Sequence, residues 1–250
     1  MKVFFHDDFY QDYSGDPASE PGRMEAMVNA VQDHVELVSI QPATLQDIAF
    51  VHGAAHIDQV RGEGLYDIAA LAAGGAVMAA EEGLKSPAFA LIRPPGHHAS
   101  ADSCWGFCYF NNMAVALCSL KNRGLIRSAF VLDIDLHRGD GTLNILGSEP
   151  WVTIHNPEDH NRESYLTNVG KRLTDTRVDM IGISAGFDHH IEDWGGLLTT
   201  EDYYTLGAMV QHTARKNNGG CFAILEGGYN HDVLGQNLQA LLKGLSETTS

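Results

Sequence analysis

The stretch VLDIDLHRGDG, at residues 131–141, decides how the rest of the chain is interpreted. It opens with apolar residues, and Asp133, Asp135 and His137 then alternate with apolar neighbours. Alternation with period two is typical of a β-strand and predicts that the three polar side chains lie on one face. Buried charges need partners, and a divalent cation suits a set of Asp and His ligands. The stretch therefore indicates a metal site; the alternative is a strand end whose polar residues face water.

Length and composition bound the class of protein. The chain has 250 residues, of which 44% are hydrophobic, so we expect a single domain, residues 1–250, with a well-buried core. The longest apolar stretch, residues 68–80, contains two glycines and is too short to cross a bilayer. The first residues, MKVFFHDDFYQ, lack the cationic flank and long apolar core of a signal peptide. We therefore expect a cytoplasmic protein with no membrane partner.

The net charge of −16 argues against binding to nucleic acid, which needs clustered lysine and arginine. It favours cationic small molecules or basic peptides weakly, and an acidic surface that serves only solubility explains it equally well. The four cysteines form no CxxC pair, so buried free thiols are expected rather than a zinc knuckle or a disulfide.

Apolar strand patterns alternate with helical patterns along most of the chain. Strands are predicted at residues 3–5, 35–40, 89–92, 128–136, 152–154, 180–184 and 221–225. This order predicts a three-layer α/β/α sandwich with a mostly parallel sheet, in which the strand at 128–136 is central. Ligands of such sheets bind beyond the carboxyl ends of the strands.

Titratable residues flanked by glycines follow four of these strands. They stand in the segments RPPGHH (His97, His98), DIDLH (Asp135, His137), AGFDHH (Asp188) and EGGYN (Tyr229). Glycines allow tight turns and close approach to a ligand. Four such segments at the same edge of a sheet predict one composite site.

Amide hydrolysis needs an activated water, a polarised carbonyl and a proton for the leaving amine. A metal with three protein ligands and an open position supplies the first two, and Asp135, His137 and Asp188 are the candidate ligands. His97 and His98 are the candidate acid–base residues, provided that each is held by a carboxylate partner. Asp133 and Asp140 are the candidate partners.

Five motifs, RPPGHHA, GFCYFNN, VLDIDLHRGDGT, SAGFDHH and LEGGYN, resemble signatures of the arginase/deacetylase superfamily, in the branch of histone deacetylases and acetylpolyamine amidohydrolases. The resemblance covers residues 93–230 and extends more weakly back to Arg23. It implies a deacetylase that removes acetyl or other short acyl groups from amines such as acetyl-lysine or acetylpolyamines. It implies Zn²⁺, with Fe²⁺ as the alternative, and a structural K⁺ bound by carbonyls of residues 133–137 and 153–155.

The resemblance also assigns roles. Asp133 orients His97 and Asp140 orients His98, with His98 the general base and His97 an electrostatic partner or proton donor. Which histidine gives the final proton is left open.

Further roles concern the acyl group and the space around it. Tyr229 polarises the acyl carbonyl, and Phe107 forms a wall beside the acyl group. Gly106 and Gly227 are further substrate-binding positions. For both aromatic residues the alternative is packing in the apolar core. Arg23 either lines an internal channel or makes a surface salt bridge. His155, His160, His189 and His190 are expected to be solvated or to support the site from behind.

The chain departs from the family in ways that affect the entrance. Arg138 stands in place of a second histidine and is expected to be structural, and His56 stands in place of an aromatic. Residues 51–66 leave little room for the substrate-gripping loop of the family. We expect another strand and helix between the strands at 152–154 and 180–184, but only residues 155–179 are available for them. We therefore expect an open, shallow entrance, or one that a neighbouring subunit of a homo-oligomer completes.

Two other functions are considered. A two-metal ureohydrolase needs a carboxylate two residues after His137, where Gly139 stands, so one metal is expected. A catalytically weak homologue that only binds metal or acyl-lysine would not need both histidines, both partner aspartates and Tyr229.

Overall fold

A computed structural model describes residues 1–247, and a seven-stranded sheet forms its centre. The strands are β1 (Lys2–Phe5), β2 (Glu36–Ser39), β3 (Ala88–Ala90), β4 (Ala129–Asp133), β5 (Val152–His155), β6 (Met180–Ala185) and β7 (Gly220–Leu225). They lie in the order β2-β1-β3-β7-β6-β4-β5 and every neighbouring pair is parallel. The predicted parallel sheet is confirmed, but β4 is not central: it lies next to the edge strand β5, and β7 occupies the middle.

Two helical layers cover the sheet, as predicted. The helices are α1 (Arg23–Val31), α2 (Leu45–Ala49), α3 (Ala54–Gly62), α4 (Tyr66–Gly83), α5 (Asn112–Asn122), α6 (Asp140–Leu146), α7 (Arg162–Asp175), α8 (Thr200–Lys216) and α9 (His231–Leu245). One layer consists of α1, α9, α8 and α7, which contact one another in that order, and the other is built around the pair α4 and α5. The main apolar core runs from Val3 to Leu245. No helix in the described range is long and apolar enough to cross a membrane.

The strand β4 ends at Asp133, three residues before the predicted end. Asp135 and His137 therefore lie in the following loop, and period-two alternation does not bring them together. Instead, the backbone N–H of Asp135 donates to Asp133 Oδ1 at 3.2 Å, and that of His137 donates to Asp135 Oδ1 at 2.9 Å. Aspartate side chains that accept from the backbone two residues on fold a chain into tight turns. These turns direct the polar groups towards one point.

The four cysteines are free, as expected. Cys108 and Cys221 are buried, whereas Cys104 and Cys118 are only partly buried, so the expectation of burial is wrong for the latter two.

The start of α8 fixes the loop that follows β6. Asp202 accepts hydrogen bonds from Thr199 N at 2.8 Å and from Arg162 Nε and Nη2 at 2.6 and 2.7 Å. Its neighbour Tyr203 donates through its hydroxyl to the carbonyl of Phe187 at 3.3 Å. Asp202 thus holds α8, and through Tyr203 supports the loop that carries Asp188.

We expect Asp202→Ala to lower the free energy of unfolding by about 2 kcal/mol, because it removes a helix cap and leaves Arg162 without its partner. Burial acts to raise the pKa of Asp202, but hydrogen bonds from Arg162 and Thr199 outweigh it and lower the pKa. The difference from the parent should therefore persist above pH 4 or so and shrink in more acid solution. Urea unfolding at several pH values measures it, with the exposed neighbour Glu201→Ala as control. Equal stability of Asp202→Ala and the parent at neutral pH would contradict this account.

Candidate active site

The four polar segments meet at the carboxyl ends of β3, β7, β6 and β4, which are neighbours in the sheet. A cavity of about 120 Å³ opens there. Its lining includes His97, His98, Gly106, Phe107, His137, Gly227 and Tyr229. The structure thus brings together candidate residues that are up to 132 positions apart in the sequence, from His97 to Tyr229.

The three candidate metal ligands form one group. His137 Nδ1 lies 3.2 Å from Asp135 Oδ1 and 3.1 Å from Asp188 Oδ2, and one ligand atom from each residue lies within 4.8 Å of the others. The remaining oxygens are occupied, since Asp135 Oδ2 accepts from Gly227 N at 2.8 Å and Asp188 Oδ1 from Leu136 N at 3.0 Å. Backbone donors therefore fix both carboxylates with one oxygen each directed at the group.

The charge balance of this group fits a divalent cation. The side chains of Asp135 and Asp188 are buried, and the only cationic partner in the group is His137, which is 39% exposed. Burial and the charge of Asp135 raise the pKa of Asp188, and hydrogen bonds with both carboxylates raise the pKa of His137 to about 10. Two buried carboxylates and one imidazole are a donor set that zinc or another borderline metal accepts.

A second group with metal-ligand spacing, His97, Cys108 and Glu226, is also buried. Burial raises the pKa of Cys108 well above its ordinary value, and a thiol ligand must be deprotonated. This group is therefore a poor metal site.

Each histidine of the pair has its own carboxylate. His97 Nδ1 lies 3.1 Å from Asp133 Oδ2, and His98 Nδ1 lies 2.7 Å from Asp140 Oδ1. Burial and neighbouring His97 lower the pKa of His98 to about 4, so its imidazole is neutral at neutral pH. Burial disfavours the charged form of His97, but Asp135 and Asp133 outweigh it and raise its pKa. The two environments push the two histidines towards different protonation states, the pattern expected of an acid–base pair.

Tyr229 lies at the mouth of the cavity. Its backbone N–H donates to Asp193 Oδ2 at 2.8 Å, and its ring stacks on Trp194 at 4.0 Å and meets the edge of Phe107 at 6.2 Å. Gly228 before it has φ +115°, a conformation that favours glycine. Tyr229 and Phe107 both line the cavity rather than the apolar core.

The two glycines predicted to bind substrate also allow catalytic groups to approach closely. A Cβ at position 227 would lie 2.6 Å from Asp135 Oδ2, and one at position 106 would overlap the His98 ring. Only glycine therefore leaves Asp135 and His98 where they are.

Glu226 was not among the predicted site residues. Its side chain is buried and accepts from the backbone N–H groups of Gly96 and His97, at 2.7 and 3.2 Å. It thereby ties the turn that carries the histidine pair to the end of β7. A carboxylate directly after the apolar run 221–225 was the signal that could have identified it.

Several peripheral predictions are settled by burial. Arg23 is fully buried and donates to the carbonyls of Gly228 at 2.8 Å and Glu226 at 2.7 Å, so the surface salt bridge is wrong. His189 and His190 are buried, not solvated. Arg138 is exposed and pairs with Glu158 at 2.6 Å.

Comparisons with known proteins identify the family of this chain. The family model described as "Histone deacetylase domain" matches residues 17–166 and 153–245. The chain belongs to the histone deacetylase family. Members of this family act on acylated amines.

Relatives in the histone deacetylase family include archaeal and bacterial proteins. The protein named "Probable deacetylase" of Methanothermobacter thermautotrophicus is 31% identical over 90% of this chain and 84% of its own length. "Histone deacetylase-like amidohydrolase" of Pseudomonas aeruginosa is 28% identical over 81% of this chain and 68% of its own. The crystal structure of the HDA15 HD domain superposes with a TM-score of 0.85 at 24% identity, covering 100% of this chain and 90% of that one, and shows the shared fold.

The alignment with the archaeal relative spans 283 positions, although this histone deacetylase homologue has 250 residues. The relative therefore carries insertions. Between β5 and β6 the only regular element is α7, so no additional strand fills residues 155–179, in agreement with the shortened loops.

Proposed function

We propose that this chain is a metal-dependent amidohydrolase, a single catalytic domain over residues 1–250, that removes acetyl or other short acyl groups from amines such as acetyl-lysine or acetylpolyamines. One observation carries the proposal: His137, grouped with the buried carboxylates Asp135 and Asp188, lines the same small cavity as His98, whose Nδ1 is held by Asp140. Such a constellation provides a metal site beside a general base.

Asp135, His137 and Asp188 would hold the metal, for which we propose Zn²⁺, with Fe²⁺ as the alternative. When bound, a divalent metal lowers the pKa of water and polarises a carbonyl oxygen. A metal held by two carboxylates and one imidazole would be a weaker Lewis acid than a metal held by three histidines. Activation of the water would therefore depend more on the neighbouring general base. Structural K⁺ near residues 133–137 remains a prediction.

The side chains divide the chemistry among them. His98 accepts the proton of the attacking water, because its Nδ1 is engaged by Asp140 and its imidazole is neutral. His97, held by Asp133, stabilises the developing negative charge and is available as a proton donor. The hydroxyl of Tyr229 donates to the carbonyl oxygen of the acyl group. Phe107, Gly106 and Gly227 border the acyl group.

The size of the cavity supports a short acyl group and an open entrance. A volume of about 120 Å³ lies below the roughly 300–1,000 Å³ of pockets that enclose drug-sized ligands. Trp105 and Trp194 at its rim are 55% and 54% exposed. We propose that the entrance is open in the monomer and needs no neighbouring subunit.

The surroundings of Gly139 argue against a two-metal ureohydrolase. A Cβ on Gly139 would collide with the Asp133 carboxylate, so no further carboxylate ligand fits there.

The test is acetate release from an acetyl-lysine peptide and from monoacetylated 1,4-diaminobutane. We expect turnover with zinc- or iron-loaded protein, loss of turnover after treatment with a chelator, and recovery when metal is restored. Turnover that survives complete metal removal, or no acetate from any acylated amine with either metal, would overturn the proposal.

A further inference from the structure

A buried imidazole outside the proposed active site joins the two ends of a loop that borders the cavity. His52 lies between α2 and α3 and is 3% exposed. Its Nδ1 lies 3.0 Å from the carbonyl oxygen of Ser100, and its Nε2 accepts from Asn111 N at 2.9 Å. The loop 101–110 begins directly after Ser100 and ends directly before Asn111. A single ring therefore ties both ends of this loop.

The two partners fix the protonation state of the His52 ring. A backbone N–H can only donate, so Nε2 is unprotonated where it accepts from Asn111. The proton of the neutral ring then lies on Nδ1, which donates to the carbonyl of Ser100. Burial and the neighbouring His56 lower the pKa of His52 to about 4, so the ring is neutral at neutral pH. One donor and one acceptor on a rigid ring thus match one carbonyl and one N–H.

Neighbouring groups hold the same loop at two further points. Gly53 N donates to the carbonyl of Ala101 at 2.9 Å, and His56 Nε2 lies 2.7 Å from the carbonyl oxygen of Tyr109. His56, which stands in place of an aromatic residue of the family, makes this contact through a ring nitrogen that a phenyl ring lacks. The corner 52–56 therefore contacts the loop 101–110 at both of its ends.

The loop carries residues that line the cavity: Trp105, Gly106 and Phe107. The Trp105 ring lies 3.8 Å from the His98 ring, and its Nε1–H donates to Asp140 Oδ2 at 2.9 Å. The other oxygen of Asp140 lies 2.7 Å from His98 Nδ1. The position of the loop is therefore coupled to the proposed general base through Trp105 and Asp140.

A second connection to the histidine pair runs through Asn111, which is fully buried. Its side-chain Nδ2 donates to the carbonyl of Ala99 at 3.0 Å and to Thr142 Oγ1 at 3.1 Å. Thr142 N donates in turn to the carbonyl of His97 at 3.1 Å. Asn111 and Thr142 therefore hold the backbone directly before and directly after His98.

We infer that His52 is a positioning residue for the general base His98, and that it acts through the two ends of the loop 101–110 without touching the reacting atoms. The inference rests on the proposed function and gives a role to a residue that lies outside the four segments of the site. Groups that orient a ligand or base from outside the reacting centre change activity by roughly 10- to 100-fold.

The test pairs His52→Phe with His52→Gln. Phenylalanine keeps a buried ring but leaves Asn111 N–H and the carbonyl of Ser100 without partners. Glutamine offers an acceptor oxygen and a donor nitrogen on one planar group. We expect zinc-loaded His52→Phe to cleave an acetyl-lysine peptide with kcat lowered by roughly 10- to 100-fold, while KM and zinc content change much less. His52→Gln should recover most of the lost kcat.

An NMR signal reports the position of the loop without turnover. The indole N–H resonance of Trp105, assigned by comparison with Trp105→Phe, should shift in His52→Phe and return towards its parent position in His52→Gln. Ser119→Ala is the matched control, because it removes a hydrogen bond between α5 and α2, from Ser119 Oγ to Asp47 Oδ1 at 2.9 Å, and neither residue belongs to the loop. The control should retain the parent kcat and the parent resonance.

The outcomes separate positioning from general stabilisation. If His52 only stabilises the fold, His52→Phe unfolds at a lower temperature but keeps the parent kcat and the parent Trp105 resonance, and this result would overturn the inference. Equal loss of kcat in His52→Phe and His52→Gln would overturn it as well. If His52→Phe does not fold, His52→Asn takes its place, because its shorter amide cannot reach both Ser100 and Asn111. Absence of turnover in the parent would count against the proposed function, and the Trp105 resonance would then decide the inference.

Discussion

Replacing Asp188 with alanine is expected to abolish zinc binding and, with it, deacetylation. Asp188 supplies one of three ligand atoms within 4.8 Å of one another, and its side chain is fully buried. Alanine offers no ligand atom, and nothing in the described site can replace it. We expect a fall from about one zinc per protein to near zero, and a loss of turnover of roughly a thousandfold or more.

Metal content after dialysis measures the first effect, and acetate release measures the second. Asp179→Ala is the matched control: Asp179 also flanks β6, but at its amino end, where its carboxylate accepts from Arg127 N at 2.7 Å. The control should retain zinc and activity. If Asp188→Ala kept stoichiometric zinc with the parent's affinity, the assignment of the metal ligands would be wrong.

His98→Ala is expected to retain zinc and lose most turnover. The imidazole of His98 is held by Asp140 at 2.7 Å and lies beside the ligand group without belonging to it. Removing a general base costs roughly 10²- to 10⁴-fold in rate, and we expect the loss to appear in kcat more than in KM. Steady-state kinetics on zinc-loaded protein, with metal content measured in parallel, tests this.

Asp140→Asn provides a graded comparison, because it keeps the shape of the partner but removes the charge that orients His98. Its effect should be smaller, roughly 10- to 100-fold. His190→Ala serves as the control, because His190 is also a buried histidine but does not line the cavity. A His98→Ala protein that cleaved at the parent rate would refute the base assignment.

Much of this arrangement could be predicted because its signals are local. The strands, the glycine-flanked segments and the parallel sheet follow from patterns within a few residues, although the end of β4 lies three residues before its predicted position. Strand order does not, since nothing around β4 specifies that β5 and β6 lie on either side of it. Of the strand and helix expected within residues 155–179, only the helix α7 is present, and its buried Tyr165, Val169 and Leu173 have helical spacing.

The parts that sequence could not predict depend on distant partners. The burial of Arg23 is stabilised by backbone carbonyls of Glu226 and Gly228, about 200 positions away, and a carbonyl acceptor carries no sequence signature. Trp105 and Trp194 lie in irregular loops, where no periodicity distinguishes an exposed indole from a buried one. Their packing on His98 and Tyr229 emerges only from the fold.

The crowding at Gly139 has a consequence for how this scaffold could change its chemistry. A second carboxylate ligand at that position would first require Asp133 to move, and Asp133 is the anchor of His97. A change towards a binuclear centre through position 139 would therefore disturb the carboxylate that holds His97. A single substitution at position 139 therefore carries a steric cost that falls on the support of the first histidine of the pair.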